Sequence, residues 1–251
     1  METDDLGHAD RLLSATRRLC ETLVPLEFAA PVSHVYNPLV YAARGHRRYV
    51  RRFGDSQKRI VFLGMNPGPY GMSQTGVPFG EVAIVRDWMG IEERIDRPEN
   101  EHPKRPIEGF ACTRSEVSGR RLWGAVEAHW KSPEAFFKNH FMVNYCPLVF
   151  MEETGRNRTP DKLPAAEREP LYEACNAHLR RLIDILQPEW IVGIGAFAEA
   201  RAKEILGDRD LQFGRILHPS PASPKANKDW AGAARKEFKA MGLCKRPGTK
   251  A

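Results

Sequence analysis

The sequence predicts an α/β protein built on a parallel or mostly parallel sheet, and three observations carry that expectation. Short apolar runs at 60–63, 190–194 and 213–217 each end abruptly, at Gly or at His-Pro, where a strand would open into a loop. The first two are continuously apolar, which suits strands covered on both faces. Helical segments alternate with the runs, and a helix, strand, helix, strand, helix order favours parallel connections.

Taken in order, residues 9–23 (ADRLLSATRRLCETL) place Leu12, Leu13, Ala15, Leu19 and Leu23 largely on one helical face, as a packing helix does. A basic segment follows, with Arg44, Arg47, Arg48, Arg51 and Arg52 interleaved with Tyr41 and Tyr49. It suits either phosphate contact or a plain solvated helix face. The run at 60–63 then opens into GMNPGPYGM at 64–72. Residues 96–120, rich in Pro, Gly and charge, read as an irregular surface excursion rather than a linker between domains. Phe141, Met142 and Val143 begin another apolar run, ending at Pro147, in which Asn144 is an oddly polar member. Residues 168–187 read as a helix and 190–194 as a strand that Gly195 breaks before a helix over about 197–206. The last run opens into HPSPASP at 218–224. Two loops thus lie at strand carboxyl ends, the edge where open parallel sheets bind ligands. Asn66 and His218 are therefore expected to face each other across a cleft.

A chain of 251 residues, 42% of them hydrophobic, can bury the core of one α/β domain. A single domain over 1–251 is expected, with the extreme N-terminus and 245–251 as candidates for disorder. The 38 Lys and Arg against 32 Asp and Glu leave a formal charge of +6, which admits a polyanionic partner. The acidic opening METDDLGHAD lacks the basic and apolar regions of a secretory signal, and no apolar run approaches the ~20 residues of a membrane span. A soluble intracellular protein with no membrane contact is expected, in cytoplasm or nucleoid for a bacterium and in the nucleus for a eukaryote. Cys20, Cys112, Cys146, Cys175 and Cys244 are widely spaced with no C-x-x-C pair, which argues for reduced thiols and against a zinc or iron–sulfur site. Phosphate-binding, nucleophile-elbow and zinc-helix motifs are missing, so phosphoryl transfer and metallohydrolase chemistry fall away. No metal and no cofactor are expected.

The two loops hold the candidate chemistry. Asn66 lies between Gly64 and the Pro67-Gly68-Pro69 segment, where the backbone is restrained and glycines admit close approach. An amide is no strong base, but it can hold a water by hydrogen bonds; the alternative is a turn Asn bonding its own backbone. His218, locked by Pro219, Ser220 and Pro221, is suited to stabilising a developing anion. Asn144, in an apolar run, must find hydrogen-bond partners, and its amide is fit either to read the edge of a base or to bond backbone. Phe79, between Pro78 and Gly80, suits a loop aromatic stacked on a planar ligand as well as core packing.

At these residues the chain resembles the single-strand-selective monofunctional uracil-DNA glycosylases of the uracil-DNA glycosylase superfamily. The likeness runs from Tyr36-Asn37-Pro38 through FLGMNPGPYGMSQTGVPFGE, EHPKRP, SEVSG, NYCPL, GRNRTP and LHPSP to KANKDW, about four-fifths of the chain. It implies one three-layer α/β/α domain with a central, mostly parallel sheet. It also implies roles: Asn66 positions the water, His218 supports charge on the leaving uracil, Asn144 bonds the base edge, and Phe79 stacks on its face. Backbone around Met65, with Gly68, would complete the pocket. Gly68 would leave room beside C5, so that uracil and oxidised 5-substituted uracils such as 5-hydroxymethyluracil are removed from single- and double-stranded DNA. The implied product is an abasic site, the opening step of base-excision repair, passed by a monomeric enzyme to downstream repair enzymes. No motif lysine is placed for a Schiff base, with Lys225 the one left open.

The loop after His218 departs from the family. Vertebrate members carry an Arg-Asn pair after HPSP, where this chain has Ala222 and Ser223. The implied wedge of Pro219, Ser220, Pro221, Ala222 and Ser223 is smaller, and Lys225, Asn227 and Lys228 are expected to compensate on the DNA backbone. Weaker duplex binding follows, because extruding a paired base costs about a few kcal/mol. Two other readings stay open: a glycosylase for deaminated purines, and a non-catalytic binder of damaged DNA.

Overall fold

The computed structural model describes residues 6–243, so that Cys244 and the terminal stretches singled out for disorder lie outside the described residues. Seven strands are found among the described residues: β1 Val32–Tyr36, β2 Ile60–Gly64, β3 His140–Asn144, β4 Val149–Glu152, β5 Asn157–Arg158, β6 Trp190–Ile194 and β7 Gln212–Ile216. The helices are α1 His8–Leu23, α2 Pro38–Tyr41, α3 Ala43–Phe53, α4 Met72–Thr75, α5 Val117–His129, α6 Pro133–Phe137, α7 Ala165–Leu186, α8 Ala196–Leu206 and α9 Pro224–Ala240.

β3, β2, β6 and β7, in that order, form a wholly parallel sheet. Every residue of β2 is buried, as a central strand flanked by helices requires. The sequence expectation of a parallel sheet with helices on it is what the chain adopts. α1 packs on α7 and α3, while Phe62 of β2 meets Phe136 of α6 and Phe238 of α9. Tyr49 of α3 ties helix to sheet, donating its hydroxyl to the Met142 carbonyl at 2.9 Å and accepting the Met142 N–H at 3.2 Å.

A second sheet is not legible in the runs considered above. β1 pairs antiparallel with β4, and β4 with β5, around Tyr36, Tyr41, Val149 and Met151. Its strands are short and have little apolar alternation; pairing between distant segments makes them. Tyr36 accepts the His102 N–H at 2.7 Å and donates to the Arg105 carbonyl at 2.9 Å, which pins the EHPKRP segment. Residues 96–116 run irregularly, as expected, apart from one short turn, and only the end of the segment is helical. A 3₁₀ turn spans Gly109–Ala111, and α5 begins at Val117 because Glu116 caps it, its carboxylate accepting the Gly119 N–H at 2.7 Å. No helix among the described residues is long and apolar enough to cross a membrane.

Candidate active site

Parallel strands bring four carboxyl ends to one edge. The chain leaves β2 toward β3 on one side and β6 toward β7 on the other, so β2 and β6 flank the switch point where such sheets open a crevice. Asn66 follows β2, Asn144 ends β3, Gly195 follows β6 and His218 follows β7.

Gly64 is the floor. It pairs in register with Asn144, and the pairing continues through the Tyr145 N–H to the Gly64 carbonyl and the Cys146 N–H to the Met65 carbonyl, both 2.9 Å. A Cβ at Gly64 would strike the Asn144 Oδ1 and lie 2.6 Å from the Phe79 Cε2. The amide and the ring therefore meet over a residue with no side chain. Phe79 reaches this place with φ of 53°, a left-handed conformation costly for an aromatic residue. Its ring centroid lies 6.0 Å from that of His218. Asn144 donates its amide to the Met72 sulfur at 3.3 Å, a weak acceptor, while its Oδ1 is buried with no partner among the described residues.

Asn66 donates its amide to the Leu148 carbonyl at 3.0 Å, and its Oδ1 is left as an acceptor. His218 accepts the Ser220 N–H on Nδ1 at 3.1 Å. Burial pushes the imidazole pKa below its usual value, so the ring is neutral at pH 7. With Nδ1 accepting, the proton of the neutral ring sits on Nε2, which is then a donor. Gly195, at φ of 93°, backs the imidazole: a Cβ there would come to 3.2 Å from the His218 Cβ. The strand end is held by the Trp230 indole N–H on the Leu217 carbonyl at 2.7 Å and by the Leu217 N–H on Glu237 at 2.6 Å.

The remaining predicted residues divide by environment. Gly68 accepts the Ser73 hydroxyl on its carbonyl at 2.8 Å, and a Cβ there would be in ordinary contact with Glu116 at 3.5 Å. Pro219 is buried and its carbonyl accepts Arg121 at 3.0 Å. Ser220 accepts the Ala222 N–H at 3.2 Å, and Ser223 caps α9 by accepting the Ala226 N–H at 3.4 Å. Pro221, Ala222, Lys225, Asn227 and Lys228 are exposed. Asn227 spends its side chain on the loop itself, accepting Arg121 and donating to the Pro221 carbonyl, both at 2.9 Å.

Sequence reasoning missed Glu116, Arg121 and Gln74. Gln74, buried, donates to the Pro69 carbonyl at 3.0 Å and accepts the Glu108 and Gly109 N–H groups at 2.9 and 3.0 Å, fastening the NPGP loop. Glu116 lies against Gly68 and Gly71, and burial pushes its carboxyl up to about 7. Beside its cap on Gly119, Glu116 meets Gly68 and Gly71 only in the fold, as Gln74 meets Glu108 and Gly109 and Arg121 meets Pro219 and Asn227, so no local pattern marks these contacts.

At the strand ends the Asn144 amide, the Phe79 ring and the neutral His218 imidazole come together, with Asn66 on the loop after β2, a set of groups suited to a planar polar ring. The profile of the Uracil DNA glycosylase superfamily matches residues 51–240. A single-strand selective monofunctional uracil-DNA glycosylase of Rattus norvegicus is 47% identical over 94% of this chain and 85% of its own length. Those of Mus musculus and Bos taurus are each 46% identical over 94% of the chain, and over 85% and 87% of their own lengths. The crystal structure of Pedobacter heparinus SMUG2 superposes with a TM-score of 0.70 at 18% identity, covering 94% of this chain and 97% of that one, which shows the shared fold.

The chain belongs to the uracil-DNA glycosylase superfamily and, within it, to the single-strand-selective monofunctional uracil-DNA glycosylase family. It is an enzyme, a hydrolase of N-glycosyl bonds.

Proposed function

We propose that the chain, acting as a monomeric single domain, hydrolyses the N-glycosidic bond of uracil and of oxidised 5-substituted uracils such as 5-hydroxymethyluracil. The substrate is single- and double-stranded DNA, and the product is an abasic site for downstream repair enzymes. The observation that carries this reading is the unpartnered Oδ1 of Asn144 beside the Phe79 ring. A buried acceptor without a donor costs about 1–3 kcal/mol. The N3–H of a uracil stacked on Phe79 supplies that donor, and the amide NH2, held only by sulfur, turns to O4. Cytosine presents the opposite pattern and leaves both groups unpaired.

Bond cleavage sends the electron pair to the base, giving a uracil anion and an oxocarbenium sugar. The neutral His218 donates its Nε2–H to the anion without surrendering the proton, as a fixed dipole stabilising charge where it develops. Asn66, oriented by Leu148, holds a water through Oδ1, and that water adds to the sugar C1′ and releases its proton to solvent. The Gly68 face, without a side chain, accommodates a C5 substituent. Lys225 stands exposed at the start of α9 and has no part in this scheme.

Uracil release from end-labelled single-stranded and duplex DNA, without added metal and followed by hot alkali, tests the proposal. Alkali-dependent breaks at uracil, stronger on single strands, are expected. Intact strands despite tight binding overturn it.

A further inference from the structure

A second cationic feature lies outside this crevice. α3 buries Gly45, Tyr49, Val50 and Phe53 and turns Arg44, Arg47, Arg48 and Arg51 to solvent. With Glu93 these four arginines border a shallow, largely open depression. Arg51 makes a long, exposed ion pair with Asp10 at 3.4 Å. Arg44, Arg47 and Arg48 have no ion pair, hydrogen bond or aromatic partner among the described residues. Arg52, the fifth arginine of the segment, is different: it is spent on the Met89 carbonyl and Glu134, both at 2.6 Å.

Arg51, in the last turn, suits the helix dipole, but the spacing and the other three arginines do not serve the helix. Arg44 and Arg48, like Arg47 and Arg51, stand four residues apart, where like charges destabilise a helix. Arg44 also lies in the first turn, at the positive end of the macrodipole. Unpaired guanidiniums bordering one depression are instead matched to phosphate, which their planar forks bind bidentately.

The groove is also near the crevice. A Cβ on Gly45, on the inner face of α3, would strike the Thr75 carbonyl, and His46 Nδ1 lies 3.1 Å from the Gly76 carbonyl. Thr75 in turn donates its hydroxyl to the Gly80 carbonyl at 3.0 Å. One helix diameter, about 10 Å, therefore separates the arginines from the turn that carries Phe79.

We propose that the groove of Arg44, Arg47, Arg48 and Arg51 is a second nucleic-acid contact, binding backbone phosphates of the substrate strand a few nucleotides from the base held in the crevice. This rests on DNA being the substrate, as proposed above. The test is the triple variant Arg44→Gln/Arg47→Gln/Arg48→Gln, with binding measured against salt on a long uracil-containing single strand and on one of about three nucleotides with the uracil in the middle, too short to reach the arginines. Each phosphate contact on single strands contributes about 0.7 to the slope of log K against log salt. The slope on the long strand is expected to fall by about 2, and affinity at 0.1 M salt by about a hundredfold. The short strand and the single-turnover rate at saturating enzyme should be unchanged. An unchanged long-strand slope overturns the proposal, as does an equal loss on both lengths. If the triple variant folds poorly, Arg47→Gln alone should lower the slope by about 0.7. Should wild-type enzyme release no uracil from either strand, the activity reading fails, while the slope difference still decides the groove.

Discussion

Gly64→Ala is the sharpest perturbation of the site, because its consequence follows from distances alone. The new Cβ would lie 2.6 and 3.0 Å from two carbons of the Phe79 ring and closer still to the Asn144 Oδ1. The backbone cannot retreat. Leu63 is in register with Gly193 on one side, Gly64 with Asn144 on the other, and the Tyr145 N–H holds the Gly64 carbonyl at 2.9 Å. The amide and the ring must therefore move, by roughly an ångström to reach ordinary contact. Overpacking of this kind costs about 1–3 kcal/mol. For a domain of this size that lowers Tm by roughly 2–12 °C, at about 2–4 °C per kcal/mol. The kinetic effect is larger, since a displacement of about 1 Å at a reacting centre costs about a hundredfold in rate. Single-turnover uracil release beside a thermal melt separates the two. A folded variant with wild-type rate would refute the assignment of Asn144 and Phe79 to the uracil pocket. Gly68→Ala is the steric control for stability: its Cβ meets Glu116 at 3.5 Å, so the ~0.5 kcal/mol typical of benign substitutions applies and Tm should shift by no more than about 1–2 °C.

The other expectations follow from single contacts. Asn66→Ala should leave binding of uracil-containing DNA nearly intact and slow release by about a hundredfold or more, read by comparing Kd with the single-turnover rate. Asn144→Ala should narrow the preference for uracil over cytosine by roughly 10- to 100-fold, the worth of a bidentate base contact, measured on paired oligonucleotides. Arg121→Ala frees both Pro219 and Asn227, so release should slow without loss of fold; an unaltered rate would mean that the HPSP loop holds itself. His46 and His140, each lowered to about 4, and His178, lowered to about 3, are all depressed by burial. Unfolded histidine titrates near 6.5, so the unfolded chain takes up more protons below that pH. Stability from these groups is fully present above about 6.5 and is lost as pH falls toward 4, by about 2 kcal/mol per histidine at pH 5. Urea unfolding at pH 7.5 and 5.0 measures it, and equal stabilities would contradict the burial of these rings.

Much of this site could be read from the chain, for reasons particular to its elements. β2 and β6 sit between helices, so their residues are apolar without interruption and their ends are marked by Gly64 and Gly195. α1 packs on α7 and α3 through one stripe, so its period shows. β7 begins one residue earlier than its apolar run, at the exposed Gln212, because pairing with Trp190 extends it. β1, β4 and β5 were not legible, since each exists only by pairing with a segment more distant than a hairpin or by a two-residue bridge. Gln74 and Arg121 escaped for the same reason: they join loops, Gln74 to Gly109 across 35 positions and Arg121 to Pro219 across 98, while Glu116 meets Gly68 and Gly71 only in the fold.

The sequence alone determined the alternation of helix and strand, the loops at strand ends, and the residue types able to hold water, anion and base. Those follow from local chemistry: apolar period, Gly and Pro punctuation, donor and acceptor inventory. Tertiary structure decided which of these groups meet. The parallel register that sets Gly64 opposite Asn144 is what aims the amide at Phe79. A slip of one residue would turn it to the other face of the sheet, because side chains alternate along a strand. Register depends on how whole strands and the helices over them pack, and that information is spread over the entire chain rather than held in any motif.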